Sequence, residues 1–485
     1  MAVWLDDCHW NGVNVRRSDQ TNPGEKVMPA PSKIKGIVQA FQLTLPRAAA
    51  GWLFALLTSN FNRIAIYELG IAAVIVTSML GLYHFLSPFQ VIYGRIADRA
   101  PIFGLHRTPY IVLGMVLSAV AVALLPYIVI PMAEHPDAIG FIAFPYAAYV
   151  AGFLVLIVFG IGFAMAGANH LALVAEVIPE RSRGIVTALI WTMLIIGMIA
   201  SLQFIRGYMP DYDIDTMKSL YFLSVPVVAI VTLLGVIGVE PRRVKGDAVI
   251  QNKEQDSHGS LKDFVVAVYH DAAVRNFFLF IFLFQIGYSL QDNILEVFGA
   301  EVLNMTVGET GRFQQIWGGG AIVGMFVMGL LVFKGSLSKR NAITLGISGI
   351  SLSLLMLSYG ALNSGSDIVN LSLVIMGFFN GFALVGTLTA MMEFTTESER
   401  GAYIGLWGLA IAFANGIASM MGGQLVTLWI ESGLMAATSG FALIFVIEAL
   451  ITLSSLWFLW RVAHYSLDKN INRDGMSKAM EADLG

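Results

Sequence analysis

Apolar runs long enough to cross a bilayer recur along nearly the whole chain, and no other feature constrains the fold as strongly. A helix needs about 20 mostly apolar residues to span the hydrocarbon core of a membrane. Charged residues make up only 13% of the chain, whereas they make up about 25% of an average soluble domain. The sequence therefore predicts an all-α polytopic membrane protein.

The apolar runs form two groups of six, separated by the only long polar stretch between predicted helices. The twelve predicted spans are 48–69, 71–94, 108–130, 146–174, 184–205, 219–239, 275–297, 312–334, 341–361, 369–392, 400–430 and 434–461. The predicted domains are an N-terminal tail at 1–45, a six-helix bundle at 46–239, a linker at 240–274, a second six-helix bundle at 275–461 and a C-terminal tail at 462–485.

The distribution of Lys and Arg predicts the orientation of the chain in the membrane. If the N-terminus is cytoplasmic, 25 of the 29 Lys and Arg residues fall in cytoplasmic segments. Cytoplasmic loops of membrane proteins are enriched in these residues. We therefore predict that both termini are cytoplasmic.

A short motif recurs before the fifth predicted helix of each half. The first copy has Glu176, Glu180 and Arg183, and the second, at a constant offset of 217, has Glu393, Glu397 and Arg400. Two halves with the same topology are typical of the parallel repeats of major facilitator transporters. The second Glu and the Arg of each copy are spaced to face each other on a helix. We predict a conformational gate at both copies, with simple helix capping as the alternative.

The loop between the second and third predicted helices carries Gly94-Arg-Ile-Ala-Asp98-Arg99, followed by Arg107. It resembles the Gly-x-x-x-Asp-Arg loop of the major facilitator superfamily. A glycine permits close helix approach, and an aspartate can pair with an arginine or face a helix N-terminus. We predict that Gly94, Asp98, Arg99 and Arg107 latch the two halves together. Ordinary loop charge beside a span is the alternative.

Polar residues inside predicted spans are candidates for function, because burying them in lipid is costly. The cavity candidates are Asn62, Arg63, Glu68, Asp292 and Glu296, and further polar positions are His84, Asn169, His170 and Gln285. A neutral imidazole can bind a metal axially, although each histidine is alternatively a hydrogen-bonded interior residue. Glu448 lies in the last predicted span, where it pairs locally, binds a partner or is protonated.

Sequence motifs of the common enzyme classes are missing. The chain has no phosphate-binding loop, no His-Glu-x-x-His zinc motif and no nucleophile elbow. We therefore do not expect an enzyme.

Several short segments resemble the bacteriochlorophyll delivery family of the major facilitator superfamily, over about residues 36–465. They are Leu45-Pro46-Arg47, Asn62-Arg63, Glu68-Leu69-Gly70, Ser87-Pro88-Phe89, His106-Arg107-Thr108-Pro109-Tyr110-Ile111, Pro179-Glu180-Arg181 and Trp191-Thr192-Met193. The resemblance implies the facilitator fold and a photosynthetic membrane, either bacterial inner, intracytoplasmic or thylakoid. It also implies chlorophyll or bacteriochlorophyll as a bound group, and light-harvesting or photosystem apoproteins as partners. The expected pigment contacts are then His84, Asn169, His170 and Gln285.

Three functional hypotheses follow. The first is a protein that holds (bacterio)chlorophyll and delivers it during assembly of light-harvesting or photosystem complexes. The second is a proton-coupled secondary transporter of a small or amphipathic solute. The third is a passive structural subunit docked to a photosystem through the last helix and Glu448. Pigment binding depends on the membrane histidines, whereas transport depends on the polar groups of the cavity.

Overall fold

The computed structural model describes residues 33–139, 142–143, 146–241, 272–334, 337–393 and 400–482. Most of the predicted linker at 240–274 therefore lies outside the described residues, as does Glu397. For Glu180, Arg183, Glu393 and Arg400 the structure describes the backbone alone.

The described residues contain 11 helices long and apolar enough to cross a membrane, and a bent helix pair supplies a twelfth span. Spans 1 to 6 are Gly36–Glu68, the bent pair Ala73–Ser87 and Ile92–Arg99, Thr108–Glu134, Ala147–Val177, Val186–Tyr208 and Ile214–Val236. Spans 7 to 12 are Arg275–Glu301, Val307–Leu331, Arg340–Asn363, Ser366–Thr387, Gly408–Glu431 and Ala437–Arg461. The predicted all-α fold of two six-helix halves is confirmed.

The first half contains helices of three kinds and one small hairpin. Its α-helices are Lys33–Gln42, Leu45–Phe54, Ala73–Leu82, Gln90–Arg99, Thr108–Glu134, Ala147–Val177, Glu180–Tyr208 and Ile214–Val236. Span 1 ends in two π-helical turns, Ala55–Phe61 and Ile64–Glu68, and span 2 contains the 3-10 segment Tyr83–Phe89. Strands Ala138–Ile139 and Ile142–Ala143 pair antiparallel between spans 3 and 4.

The second half follows the same plan. Its α-helices are Ala272–Ser289, Leu295–Glu301, Val307–Thr310, Arg312–Phe333, Lys339–Asn363, Ser366–Glu393, Arg400–Val426 and Ala437–Ala482. A 3-10 turn, Leu290–Asn293, interrupts span 7, and a π-helical turn, Thr427–Glu431, ends span 11. The last helix continues well beyond span 12, to Ala482.

Span 1 begins about a dozen residues earlier than its predicted start at 48, because a further helix, Lys33–Gln42, precedes it. The Gln42 side-chain amide donates to the carbonyls of Leu234 and Ile237, at 2.8 and 2.9 Å. Pro46 occupies the first turn of the next helix, where a missing backbone N–H costs nothing. The sequence predicted a tail up to residue 45, whereas its last part is a helix that Gln42 ties to the end of span 6.

Close packing inside each half depends on glycines at helix crossings. A Cβ atom on Gly377 in span 10 would lie 2.0 Å from the carbonyl oxygen of Trp317 in span 8. In the first half, a Cβ on Gly51 in span 1 would lie 2.0 Å from the Leu194 carbonyl oxygen in span 5. Small residues of this kind let membrane helices approach closely, and they set the rigid frame around the space between the halves.

Candidate functional site

The two halves enclose a cavity of about 230 Å³. We call the end of the bundle with loops 100–107 and 178–179 the inner end, and the end with loops 69–72, 209–213 and 302–306 the outer end. The cavity is lined by Phe54, Thr58, Tyr83, His84, Leu194, Ile195, Met198, Gln285, Tyr288, Ser289, Gln291, Asp292, Asn293, Leu295, Gln314, Trp317, Leu373 and Asn415. Both halves contribute polar and aromatic side chains, so the cavity is the place where a ligand would touch the two halves together.

His84 projects into this cavity from the 3-10 segment of span 2. Its ring packs against the ring of Tyr83, with centroids 4.0 Å apart. The described residues offer no hydrogen-bond partner to the imidazole of His84. A 3-10 turn within a helix often marks a functional hinge, and span 2 bends by 53° between its parts Ala73–Ser87 and Ile92–Arg99. His84 therefore lies three residues before the bend of span 2.

Gln285 and Asp292 line the same cavity from span 7. The Gln285 amide donates to Asn415 Oδ1 and to Ser289 Oγ, both at 2.8 Å. Gln285, Tyr288 and Asp292 recur at helical spacing, so they share one face of span 7. Of the predicted pigment contacts, the structure brings His84 and Gln285 together in this cavity. Tyr288 was not predicted, although its helical spacing from Gln285 would have indicated that it shares the same face.

His170 and Asn169 lie away from this cavity, near the inner end of span 4, and are buried. His170 Nε2 is 2.7 Å from the Leu43 carbonyl oxygen and donates to it, so its Nδ1 carries a lone pair. The Asn169 amide donates to the Met165 carbonyl at 2.9 Å, and its Oδ1 accepts from Arg107 at 3.3 Å. The structure does not place these two predicted pigment contacts beside His84, and His170 Nδ1 is buried without a hydrogen-bond partner among the described residues.

The polar residues predicted to line a cavity from span 1 instead seal the outer end. Ser59 Oγ donates to Glu296 Oε1 at 2.5 Å, and the Asn62 amide donates to the Asn293 carbonyl. Arg63 pairs with Glu68 at 2.6 Å and donates to the Met305 carbonyl at 2.9 Å. The contacts to Glu296, Asn293 and Met305 join the two halves, whereas the Arg63–Glu68 pair lies within span 1 and orients the guanidinium. Four residues that were predicted to line the cavity therefore lie in this outer seal: Asn62, Arg63, Glu68 and Glu296.

Irregular helical turns explain why these residues lie in the outer seal and not in the cavity. The two π-helical turns of span 1 and the 3-10 turn of span 7 rotate the residues that follow them relative to a regular α-helix. π-helical turns are frequent at functional sites, and an apolar pattern does not indicate where they are. Asp292 alone among the five predicted cavity residues lines the cavity.

Glu448 in span 12 is fully buried, and neither of its carboxyl oxygens has a hydrogen-bond partner among the described residues. None of the ion pairs of the described residues includes Glu448. An isolated carboxylate in such surroundings is very costly, so a buried acid of this kind is held neutral. Burial removes Glu448 from any docking surface, and of the three predicted roles the protonated one fits its surroundings.

Arg107 organises the inner end of the first half. Its guanidinium is 2.6 Å from Asp98 and 3.0 Å from Glu176, and it donates to the Gly94 carbonyl at 3.3 Å. The predicted pairing of Asp98 with an arginine is therefore present. Among the described residues this network joins spans 2, 3 and 4 within one half, and the predicted latch between the halves stays a prediction.

Two further predictions for this loop need correction. A Cβ on Gly94 would meet no atom of the described residues within 4 Å, so none of the described helices packs closely against it; its carbonyl accepts from Arg107. Arg99 is exposed and has no ion pair among the described residues. Glu240, which follows span 6, also contacts Arg107 and was not among the predicted site residues.

The Glu240 carboxylate caps the N-terminus of span 3. It accepts from the backbone N–H groups of His106, Arg107 and Thr108 at 2.6, 3.0 and 2.7 Å. Partial burial acts to raise the pKa of Glu240, but the hydrogen bonds from Thr108, Arg107 and His106 outweigh it and hold the pKa below its ordinary value. Span 6 is thereby tied to span 3.

The chain matches one protein family over most of its length. Residues 60–466 match the family model described as PUCC protein. The chain is 27% identical over 423 residues to the bacteriochlorophyll synthase 44.5 kDa chain of Rhodobacter capsulatus, covering 86% of this chain and 93% of that protein. It is 28% identical over 392 residues to protein PucC of Cereibacter sphaeroides, covering 79% and 82% respectively.

Solved structures with similar folds are transporters. A bacterial homologue of the human lysosomal transporter Spinster, in an inward-facing conformation, gives a TM-score of 0.66 at 13% identity and covers 90% of this chain and 99% of that chain. The D-xylose–proton symporter gives a TM-score of 0.62 at 14% identity and covers 86% and 97%. At these identities the likeness shows the fold alone, and it confirms the predicted major facilitator architecture.

Proposed function

The chain belongs to the PUCC protein family, and from this premise we propose that it holds chlorophyll or bacteriochlorophyll and delivers it to newly made light-harvesting or photosystem apoproteins. It acts as a carrier and assembly factor, not as an enzyme. The names of its relatives, bacteriochlorophyll synthase 44.5 kDa chain and protein PucC, support a place in pigment supply.

The observation that carries the proposal is the free imidazole of His84 on the wall of the cavity between the halves. The magnesium of a chlorophyll takes a neutral imidazole nitrogen as an axial ligand. The rings of Phe54 and Tyr83 lie 6.3 Å apart on the same wall and offer an apolar face to a flat macrocycle. Gln285 and Tyr288 provide polar groups beside them.

The size of the cavity sets a condition on this role. Its volume is about 230 Å³, below the range of about 300–1,000 Å³ that encloses drug-sized ligands. A tetrapyrrole that reaches His84 therefore needs the halves to separate further. The bend of span 2 between Ser87 and Ile92 lies close to His84, so pigment arrival and helix rearrangement would be coupled there.

The proposal includes location and partners. The protein lies in the bacterial inner, intracytoplasmic or thylakoid membrane. Both termini are cytoplasmic, because this orientation keeps most of its Lys and Arg residues on the cytoplasmic side. Its partners are pigment-binding apoproteins of the same membrane, which receive the pigment without its passage through water.

Gene deletion with complementation tests the proposal. Deletion should lower the amount of assembled pigment–protein complexes, measured by their absorption in isolated membranes, and the wild-type gene should restore it. His84→Leu should fail to restore it, whereas His170→Gln should restore it because His170 is outside the cavity. Normal complexes in the deletion strain, or full restoration by His84→Leu at wild-type protein levels, would contradict the proposal.

Asp292 favours one alternative, proton-coupled transport of a small or amphipathic solute, because a carboxyl group in the cavity is a common site for a coupled proton. Flux into proteoliposomes that requires a proton gradient and is lost in Asp292→Asn would support transport. Flux unaffected by Asp292→Asn and Glu68→Gln would count against proton coupling at these residues.

A further inference from the structure

The outer surface of the second half carries an exposed apolar stripe along span 12. Four large side chains of this span are exposed and recur at spacings of three and four residues: Leu450, Leu453, Trp457 and Trp460. This spacing places them on one face of the helix. Because span 12 is long and apolar enough to cross a membrane, a stripe of this kind contacts lipid. Its last two members are tryptophans, and they lie at the inner end of the span.

Each of the two tryptophans contacts an arginine. The guanidinium carbon of Arg461 is 3.8 Å from the centroid of the Trp457 ring. That of Arg340, in span 9, is 5.7 Å from the centroid of the Trp460 ring. Both distances are within the reach of a cation–π contact, about 6 Å. Trp457, Trp460 and Arg461 share one face of span 12, so the four side chains form one continuous surface across spans 9 and 12. We call this surface the Arg–Trp cluster.

The Arg–Trp cluster carries two positive charges that no carboxylate balances among the described residues. The ion pairs of the described chain involve Arg63, Arg107 and Lys218. Arg340 also lies in the first turn of the helix Lys339–Asn363, and that turn contains no acidic residue. A helix N-terminus has a positive partial charge, which favours an anion and disfavours a cation. The cluster therefore favours an anion that the described chain does not supply.

The position of the cluster indicates which kind of anion fits. All four side chains are exposed, and none of them lines the cavity between the halves. Tryptophan rings are enriched at the level of the lipid headgroups, and the stripe continues from them along Leu453 and Leu450 into the membrane. A ligand that fits both parts of this surface has an anionic head and apolar chains. A soluble anion or an acidic peptide would fit the arginines alone.

We propose that the Arg–Trp cluster binds the headgroup of an anionic phospholipid in the leaflet at the inner end. The two guanidinium groups donate to phosphate oxygens, and the acyl chains lie along the leucines of span 12. The orientation proposed above places this end at the cytoplasmic leaflet, where anionic lipids give the surface a negative potential. The bound lipid joins spans 9 and 12, because Arg340 belongs to one span and Arg461 to the other. This site is separate from the pigment cavity and does not depend on pigment binding.

The experiment is native mass spectrometry of the purified full chain, released from micelles that contain graded amounts of phosphatidylglycerol or phosphatidylcholine. The two lipids carry the same acyl chains and differ in the net charge of the headgroup. Wild-type protein should bind phosphatidylglycerol about 25-fold more tightly, because each cationic side chain near an anionic lipid contributes a factor of about five. Arg340→Gln and Arg461→Gln should each remove about fivefold of this preference by the same reasoning, and the double variant should bind the two lipids equally.

Matched variants separate a defined site from diffuse attraction between charges. Arg95→Gln combined with Arg99→Gln removes the same charge from exposed arginines at the inner end of the first half. Neither of these arginines contacts an aromatic ring in the described part of the chain, so this double variant should keep the preference for phosphatidylglycerol. Trp460→Leu keeps the charge but removes the ring beside Arg340. It should weaken phosphatidylglycerol binding about twofold to fivefold, the range of an exposed cation–π contact.

Each other outcome overturns the assignment. Equal wild-type binding of the two lipids would remove the anionic site, and this comparison uses no variant, so poor folding cannot hide it. Full preference in a folded Arg340→Gln, Arg461→Gln double variant, or an equal loss in the first-half control, would show that the attraction is diffuse. Displacement of phosphatidylglycerol by an equal concentration of glycerol 3-phosphate would assign the arginines to a soluble anion. Displacement by polyglutamate alone would assign them to an acidic protein segment.

Discussion

Glu240→Gln tests how the inner end of the first half is held together. The variant removes the negative charge beside the N-terminus of span 3 and one of the two oxygens that accept from His106, Arg107 and Thr108. Loss of a helix N-cap costs about 0.5–2 kcal/mol, and loss of an anion near a helix N-terminus costs about 0.3–1 kcal/mol. Because Glu240 is only partly buried, we expect a net loss of about 1–2 kcal/mol after solvent screening.

The stabilisation should depend on pH with a definite sign. The pKa of folded Glu240 is held below its ordinary value. Its contribution is therefore fully present above the pKa of the unfolded chain and is lost as the pH falls through the lower pKa of the folded state. Thermal unfolding of the full chain in detergent should show a deficit of a few degrees for Glu240→Gln at neutral pH, and that deficit should disappear in acid.

A matched control lies at the other end of the same helix. Glu134 is the last residue of span 3 and is exposed, and an anion at a helix C-terminus does not stabilise the helix. Glu134→Gln should therefore not lower the melting temperature at neutral pH. A Glu240→Gln deficit that is absent at neutral pH, or that stays constant into acid, would refute the capping account.

Three other predictions concern the membrane core. Arg63→Gln removes the ion pair to Glu68 and the hydrogen bond to Met305. It should therefore raise the rate at which an impermeant maleimide labels a reporter cysteine placed at the outer end. An unchanged labelling rate would argue against the outer seal. Glu448→Gln should keep wild-type thermal stability while one carboxylic-acid band disappears from the infrared spectrum; an unaltered band would mean that Glu448 is ionised. Gly377→Ala should destabilise the folded protein by about 1–3 kcal/mol or more, because its Cβ would lie 2.0 Å from the Trp317 carbonyl oxygen. Gly329→Ala should be tolerated, because its Cβ would meet no atom of the described residues within 4 Å. Similar melting temperatures for the two variants would contradict this packing.

The sequence predicted the fold well because the bilayer restricts the choice. Every backbone polar group must be satisfied inside a spanning segment, so length and apolarity were enough to find the spans and divide them into two halves. Span 1 was the main exception at its start, because the helix Lys33–Gln42 is polar and is held by tertiary contacts of Gln42.

The site could be predicted only in part. His84 and His170 look alike in sequence, since each is a lone histidine in an apolar helix. Which one faces the cavity depends on the rotation of its helix, and helices that are apolar all round give no periodic signal for this. Asn62 and Arg63 were assigned to the wrong surface because π-helical turns follow no apolar pattern.

The pairing of Asp98 with an arginine could be predicted from charge alone. Which arginine pairs with it, and which spans the pair holds together, could not. Arg107 comes from the same half, so the described part of the network joins spans within that half. The cap from Glu240 joins residues more than 130 positions apart in the chain, and no local pattern indicates such a contact.

The most direct test of the central claim is the visible absorption spectrum of the protein purified in mild detergent from a pigment-making host. The account predicts a stoichiometric red band that is lost in His84→Leu and retained in His170→Gln. A folded but colourless wild-type preparation, or a band that survives in His84→Leu, would contradict the claim that this protein holds its pigment at His84.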